Sequence, residues 1–135
     1  MKLELTVDSD NQWFVPVWVA IGDKNLRVRF KVDIGCNSLV LSHSTLKNMG
    51  FSVKKSDLSK LTVVSGKLAS GDDHAFIKLG MVSLYQDKKQ TLQICKADAI
   101  CHSTQETHDL LGTEVLKQFS GVSFSLVGNK FMELK

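Results

Sequence analysis

The sequence predicts an all-β domain of short strands closed into a barrel-like shape, with one or two short helices. Three observations carry that expectation. Leu26 to Asp33 alternates with a period of two, which places Leu26, Val28, Phe30 and Val32 on one face and Arg27, Arg29, Lys31 and Asp33 on the other. Other apolar runs are short and are separated by Gly, Asn, Asp and Ser clusters, the punctuation of hairpins. Helical spacing is confined to two brief stretches, so a helical bundle is excluded.

In chain order, Leu3 to Val7 alternates and reads as an opening strand, with Asp8-Ser9-Asp10-Asn11 as its turn. Trp13 to Ile21 is nearly continuous apolar sequence carrying the only proline, Pro16, which is expected at an edge or a bend because it donates no ladder hydrogen bond. Gly22-Asp23-Lys24-Asn25 forms a hairpin turn into the Leu26 strand. Leu39-Val40-Leu41 follows, and then Ser42 to Phe51 encloses a short helix between a serine N-cap and Gly50 at the position after the C-cap.

Leu61 to Val64 and Ala75 to Leu79 read as the strands of a hairpin whose tip is glycine-bearing, and Met81 to Tyr85 pairs with Thr91 to Cys95 across a charged turn. Lys96 to His108 reads as polar and irregular. Val115, Leu116 and Phe119 have helical spacing after Leu110-Leu111-Gly112, and a last hairpin joins Val122 to Leu126 with Lys130 to Leu134. Together these make about eight strands and two short helices.

The 135 residues, 43% hydrophobic and 23% charged, suit a single domain spanning 1–135 with a sizeable core. Seventeen Lys and Arg against fourteen Asp and Glu give +3, and the cations are scattered in sequence rather than interleaved with aromatics, so no nucleic-acid partner is expected. Charges among the first residues and the lack of a long apolar block predict no signal peptide, no membrane segment and a cytoplasmic location. Three cysteines, Cys36, Cys95 and Cys101, make no disulfide framework. Cys95, Cys101, His102 and His108 match no common zinc spacing, and neither metal nor organic cofactor is expected.

The chemistry centres on Asp33-Ile34-Gly35-Cys36, where an apolar strand delivers a carboxylate into a glycine turn. A carboxylate near a core is costly unless paired or hydrogen-bonded, although Asp-x-Gly is also ordinary turn chemistry. Cys36 as a nucleophile with His43 is a further reading, but nothing in the sequence aims a base at the thiol. Asn37 and Ser38 bond either within their own loop or to a ligand, and Asp72, Asp73 and His74 read as solvated turn residues.

The order of Asp33-Ile34-Gly35, a hairpin tipped by Ala69-Ser70-Gly71, and Leu110-Leu111-Gly112 before a short helix resembles the retropepsin-like aspartic proteases. The resemblance runs from about Trp13 to Leu134, and the segment from Leu110 to Phe119 is its most specific part. It implies a closed acid-protease-like barrel with the 61–79 hairpin as a flap. It further implies an aspartic endopeptidase in which two carboxylates sharing one proton activate a water. With one such motif per chain, the dyad requires one Asp33 from each subunit of a homodimer acting on a peptide or protein substrate. Asp33 is then the catalytic residue, Ile34, Gly35 and Cys36 its active-site loop, and Asn37, Ser38, Ala69, Ser70 and Gly71 its substrate contacts.

The same resemblance gives the end strands, Leu3 to Val7 and Phe131 to Leu134, an interface role, the alternative being pairing within one subunit. Ile34 departs from the pattern. The family carries Thr or Ser there, whose hydroxyl joins a lattice tying the two loops together, and isoleucine donates no such bond. The alternative function is therefore a catalytically weak or silent peptide-binding or dimerisation module on the same fold. A third reading is a protease domain acting as a piece of a larger polypeptide.

Overall fold

The computed structural model describes residues 1–51, 63–67 and 73–135, and among these it has eleven strands and two helices. In chain order they are β1 (Lys2–Glu4), β2 (Thr6–Val7), β3 (Trp13–Ile21), β4 (Lys24–Val32), β5 (Leu39–Val40), α1 (His43–Asn48), β6 (Val63–Lys67), β7 (Asp73–Tyr85), β8 (Gln93–His102), β9 (Leu110–Leu111), α2 (Thr113–Leu116), β10 (Val122–Ser125) and β11 (Phe131–Leu134). Six of the strands close on themselves in the order β3-β4-β9-β5-β8-β7, with β7 returning to pair with β3. The expected all-β barrel is therefore the observed one.

Closure follows from local chemistry. The β3–β4 hairpin turns on Gly22, whose φ of 59° supplies the left-handed residue that a two-residue loop requires. The inward faces of the two strands then read Val15, Val17, Val19 and Val28, Phe30, all at most 3% exposed. These stack on Leu39, Leu41, Ile77, Leu84, Ala99 and Leu111 as one hydrophobic cluster. Pro16 lies between the two stretches of β3 that have a second partner, Trp13–Phe14 with β2 and Trp18–Ala20 with β7. The bend or edge that proline demands is thus a gap between two partners.

Three expectations are corrected. The stretch from Leu3 to Val7 is not one strand: Lys2–Glu4 joins β11, and Thr6–Val7 crosses to β3. Both Leu3 and Leu5 are buried, so the chain turns the corner between two sheets without exposing either. Residues 96 to 102, read as irregular, are the second half of β8, where Ala97, Ala99 and Cys101 are buried at alternate positions. Small residues carry the period of two but little hydrophobic weight, so the alternation is faint in sequence. Finally, β7 runs unbroken from Asp73 to Tyr85, through a register shift at Gly80, whose φ is 88°.

The end strands pair within the chain. β11 is the middle strand of a three-stranded sheet ordered β1-β11-β10, so both of its edges are occupied. Phe131–Leu134 pairs with the chain's own β1 and β10.

Helix α1 is capped at both ends as the sequence predicts. Ser42 accepts from Thr45 N–H, while Gly50, at φ 90°, allows Gly50 N–H and Phe51 N–H to reach Lys47 O and Leu46 O. A tether from the loop before β9 reinforces the start of the helix. The Asp109 carboxylate accepts from Ser42 N–H at 2.7 Å and Thr45 Oγ1 at 2.9 Å, and Glu106 accepts from His43 N–H, Ser44 N–H and the Ser44 hydroxyl.

Burial holds the Asp109 carboxyl above the ordinary aspartate value, outweighing the hydrogen bonds from Ser42 and Thr45 that lower it. A raised folded-state pKa favours the protonated form, so the associated stability is present below the unfolded value and is lost as pH rises through the folded one. Urea unfolding of Asp109→Asn across the acid range is expected to lack that fall. Asp109→Ala, which strands the buried Ser42 N–H, is expected to cost about 2–3 kcal/mol.

Candidate active site

Two strands that are distant in sequence deliver the candidate acid. β9 inserts between β4 and β5, parallel to the first (Lys31↔Leu110, Val32↔Leu111) and antiparallel to the second (Leu39↔Leu111). The Asp33-to-Ser38 loop therefore bridges two strands that do not pair with each other. Lys31 N–H donates to Asp109 O and Asp33 N–H to Leu111 O, which extends the β4–β9 ladder one step beyond the strand and fixes the backbone of Asp33. Asp33 itself is half-buried.

Past Asp33 the loop turns tightly. Cys36 N–H donates to Asp33 O at 3.2 Å, and Gly35 N–H donates to Asp33 Oδ1 at 3.0 Å. One carboxylate oxygen is thus oriented by the loop's own backbone while the carboxylate stays near the surface. Gly35 is not in the left-handed region that the motif leads one to expect. A Cβ there would lie 3.3 Å from Asp33 Oδ1, close enough that the carboxylate would have to shift by a few tenths of an ångström.

The loop is stapled from the other side by α2. Thr113 N–H donates to Cys36 O at 2.9 Å and Glu114 N–H to Asn37 O at 2.7 Å, so carbonyls of the Asp33 loop cap the helix in place of a side chain. Gly112 sits where the two segments touch. A Cβ on it would lie 2.3 Å from Cys36 O and 2.5 Å from Ser38 O, so only glycine fits. Leu110-Leu111-Gly112 thus holds the acid's loop through two strand pairings, a helix start and a close backbone contact.

The remaining predicted site residues fall as follows. Ile34 is at the loop tip with 74% of its surface exposed, in contact with solvent rather than with the barrel. Cys36 donates to Ser38 O at 3.5 Å. Burial pushes the Cys36 thiol up, with the charge of Asp33 adding to the rise and the Ser38 bond opposing it. A thiol held protonated makes a poor nucleophile. Its supposed base, His43, instead pairs through Nε2 with His102 O, while the His102 Nδ1 accepts from Thr104 and Gln105 N–H.

Cys95 and Cys101 are pushed up to about 11 by burial. Among the described residues no group of three or more His, Cys, Asp or Glu is arranged to hold a metal ion. Asn37 presents its side chain to solvent, whereas Ser38 is half-buried. Ala69, Ser70 and Gly71 lie outside the described residues. The strands that lead to them, β6 and β7, do pair as a hairpin from Val63↔Ile77 to Lys67↔Asp73.

Sequence reasoning missed the tether of Asp109 and Glu106 and the reason for Gly112. The one available signal was an acid directly before Leu-Leu-Gly. It could not be interpreted without α1, to which the chain returns more than sixty residues later.

An acid-bearing loop, closed over an inserted apolar-apolar-glycine strand on a six-stranded barrel, defines the retropepsin-like fold. Among solved structures, the chain is similar to a retropepsin-like aspartic protease from Rickettsia conorii. The match has a TM-score of 0.63 at 19% identity and covers 98% of this chain and 89% of the other. That likeness is one of fold. No protein-family model matches the chain, and no curated protein matches it. Among the described residues no helix is long and apolar enough to cross a membrane.

Proposed function

We propose that the chain is an aspartic endopeptidase that works as a homodimer, with Asp33 of each copy forming the dyad and one bound water attacking the peptide carbonyl. The observation that carries the reading is the doubly held Asp33 loop, in which β9, Gly112 and α2 position one half-buried acid on a rigid barrel. One carboxylate of the pair, ionised, takes a proton from water. The other, protonated, hydrogen-bonds the carbonyl as it becomes tetrahedral. A single acid lacks the second function, so the partner copy must supply it. The β6–β7 hairpin is the natural flap over a bound extended peptide, and Ala69, Ser70 and Gly71 are its proposed tip.

Incubation of the purified chain with a mixed peptide pool from about pH 3.5 to 7.5 is expected to yield cleavage that a pepstatin-type mimic of the tetrahedral state suppresses. Cleavage untouched by that mimic, or sensitive to metal chelation instead, would count against the dyad.

Ile34 favours a second reading, a catalytically silent peptide-binding or dimerisation module. Its exposed side chain brings no hydroxyl to tie the two loops, so the pair would rely on apolar contact between the Ile34 side chains across the axis. Ile34→Thr is expected to raise kcat by about tenfold or more if loop support limits the rate. If the wild type is silent as a dimer and the threonine variant remains so, the binding module is the correct reading.

A further inference from the structure

The outward face of β4 holds a feature that neither the barrel nor the dyad uses. Lys31 N–H and Asp33 N–H both donate to β9, so the two residues share an orientation, and the alternation of the strand carries that face back through Arg29 to Arg27. Three cations therefore stand in line with the acid. The opposing positions on β3 are Trp18, Pro16 and Phe14, none of them charged. Arg29 lies over the Phe14 ring at 3.7 Å, and among the described residues neither Arg27 nor Lys31 has a carboxylate partner. The ion pairs among the described residues are Lys117 with Glu114 and Lys135 with Glu133.

Cations at alternate strand positions stand about 6.8 Å apart, so the row spans about 14 Å. An extended peptide presents its own alternate side chains at that same spacing. We propose that the Arg27, Arg29 and Lys31 face of β4 is a docking rail for an extended polypeptide segment carrying Asp or Glu at alternate positions, running toward Asp33. The proposal rests on the endopeptidase reading for the ligand being a polypeptide. The rail itself does not depend on turnover.

Two observations narrow the ligand. Phe14 is 7% exposed beneath Arg29, so its ring is covered rather than offered to a nucleic-acid base. A cavity of about 450 Å³ is lined by Arg29 together with Glu106 and Asp109, whose oxygens are bonded to the start of α1. Those carboxylates offset part of the Arg29 charge, so Arg27 and Lys31 carry most of the attraction for an acidic segment.

The test uses the Asp33→Asn protein, in which hydrolysis cannot consume the ligand, and a fluorescent ten-residue peptide with Glu at alternate positions beside its Gln counterpart. The Glu peptide is expected to bind at least about tenfold more tightly at low salt, with the preference shrinking as salt is raised. Arg27→Gln combined with Lys31→Gln is expected to remove that preference while keeping the Arg29–Phe14 stack. Lys88→Gln combined with Lys89→Gln, which removes the same charge from an exposed turn, should leave it within about twofold.

Equal binding of the Glu and Gln peptides, or equal loss in the two double variants, overturns the rail. So does tighter binding of a short oligothymidylate through the same residues. Thermal melting of each variant separates lost docking from lost fold. If the Glu peptide docks as expected but the wild type cleaves nothing, the rail stands and the endopeptidase reading falls. Cleavage with no preference for acidic segments reverses that outcome.

Discussion

Gly112→Ala is expected to destabilise the protein by about 3 kcal/mol or more, at the upper end of single substitutions. The added methyl would meet two backbone carbonyl oxygens, Cys36 O at 2.3 Å and Ser38 O at 2.5 Å. Neither can rotate away as a side chain would. Both belong to a loop pinned by Thr113 and Glu114 N–H and, at its base, by Leu111 O. Relief therefore requires moving the Asp33 loop off α2, with loss of those hydrogen bonds and displacement of the acid.

In a thermal melt the loss corresponds to a fall of roughly 10 °C. Gly121→Ala is the matched control, since a Cβ there would find its nearest neighbour at 4.0 Å, with no left-handed φ. A Gly112→Ala protein as stable as that control would show that the β9 insertion does not clamp the loop. Any variant that survives folding should still lose peptide hydrolysis, because a misplacement of an ångström at the reacting groups is costly.

Asp33→Asn is expected to abolish peptide hydrolysis by about 10³-fold or more while leaving the melting temperature near that of the wild type. The asparagine side-chain oxygen can still accept from Gly35 N–H, which at 3.0 Å is the one hydrogen bond of the Asp33 side chain among the described residues, so the loop keeps its shape. What disappears is the ability to share and transfer a proton. In the proposed dyad only the singly protonated pair is competent, so the rate should follow a bell on the acid side of neutrality. Mixing the wild type with an excess of the variant should depress wild-type activity, since each mixed dimer of the proposed pair holds one acid. Unchanged cleavage by Asp33→Asn would remove Asp33 from the chemistry.

The range over which residues interact separates what was legible in sequence from what was not. Strand periodicity, hairpin turns and the caps of α1 depend on residues within a few positions of one another, and they are seen where expected. Leu26 to Asp33 was readable because large apolar and charged side chains alternate. The second half of β8 was obscured because alanines and a cysteine do the same work with little hydrophobic contrast. The opening strand was over-read, since alternation shows which residues are buried but not which sheet receives them.

For the candidate site, the sequence by itself determined that Asp33 ends a period-two strand at a glycine turn, that a Leu-Leu-Gly segment comes late in the chain, and that no second Asp-x-Gly exists. Tertiary structure decided how these parts act on one another. It placed β9 between β4 and β5, turned Gly112 into a steric necessity, and assigned Asp109 and Glu106 to tethering α1. It also set the uncharged Trp18, Pro16 and Phe14 of β3 opposite Arg27, Arg29 and Lys31. Contacts between residues tens of positions apart are set by which strands pair, and strand pairing is chosen by burial over the whole barrel rather than by any local run of residues.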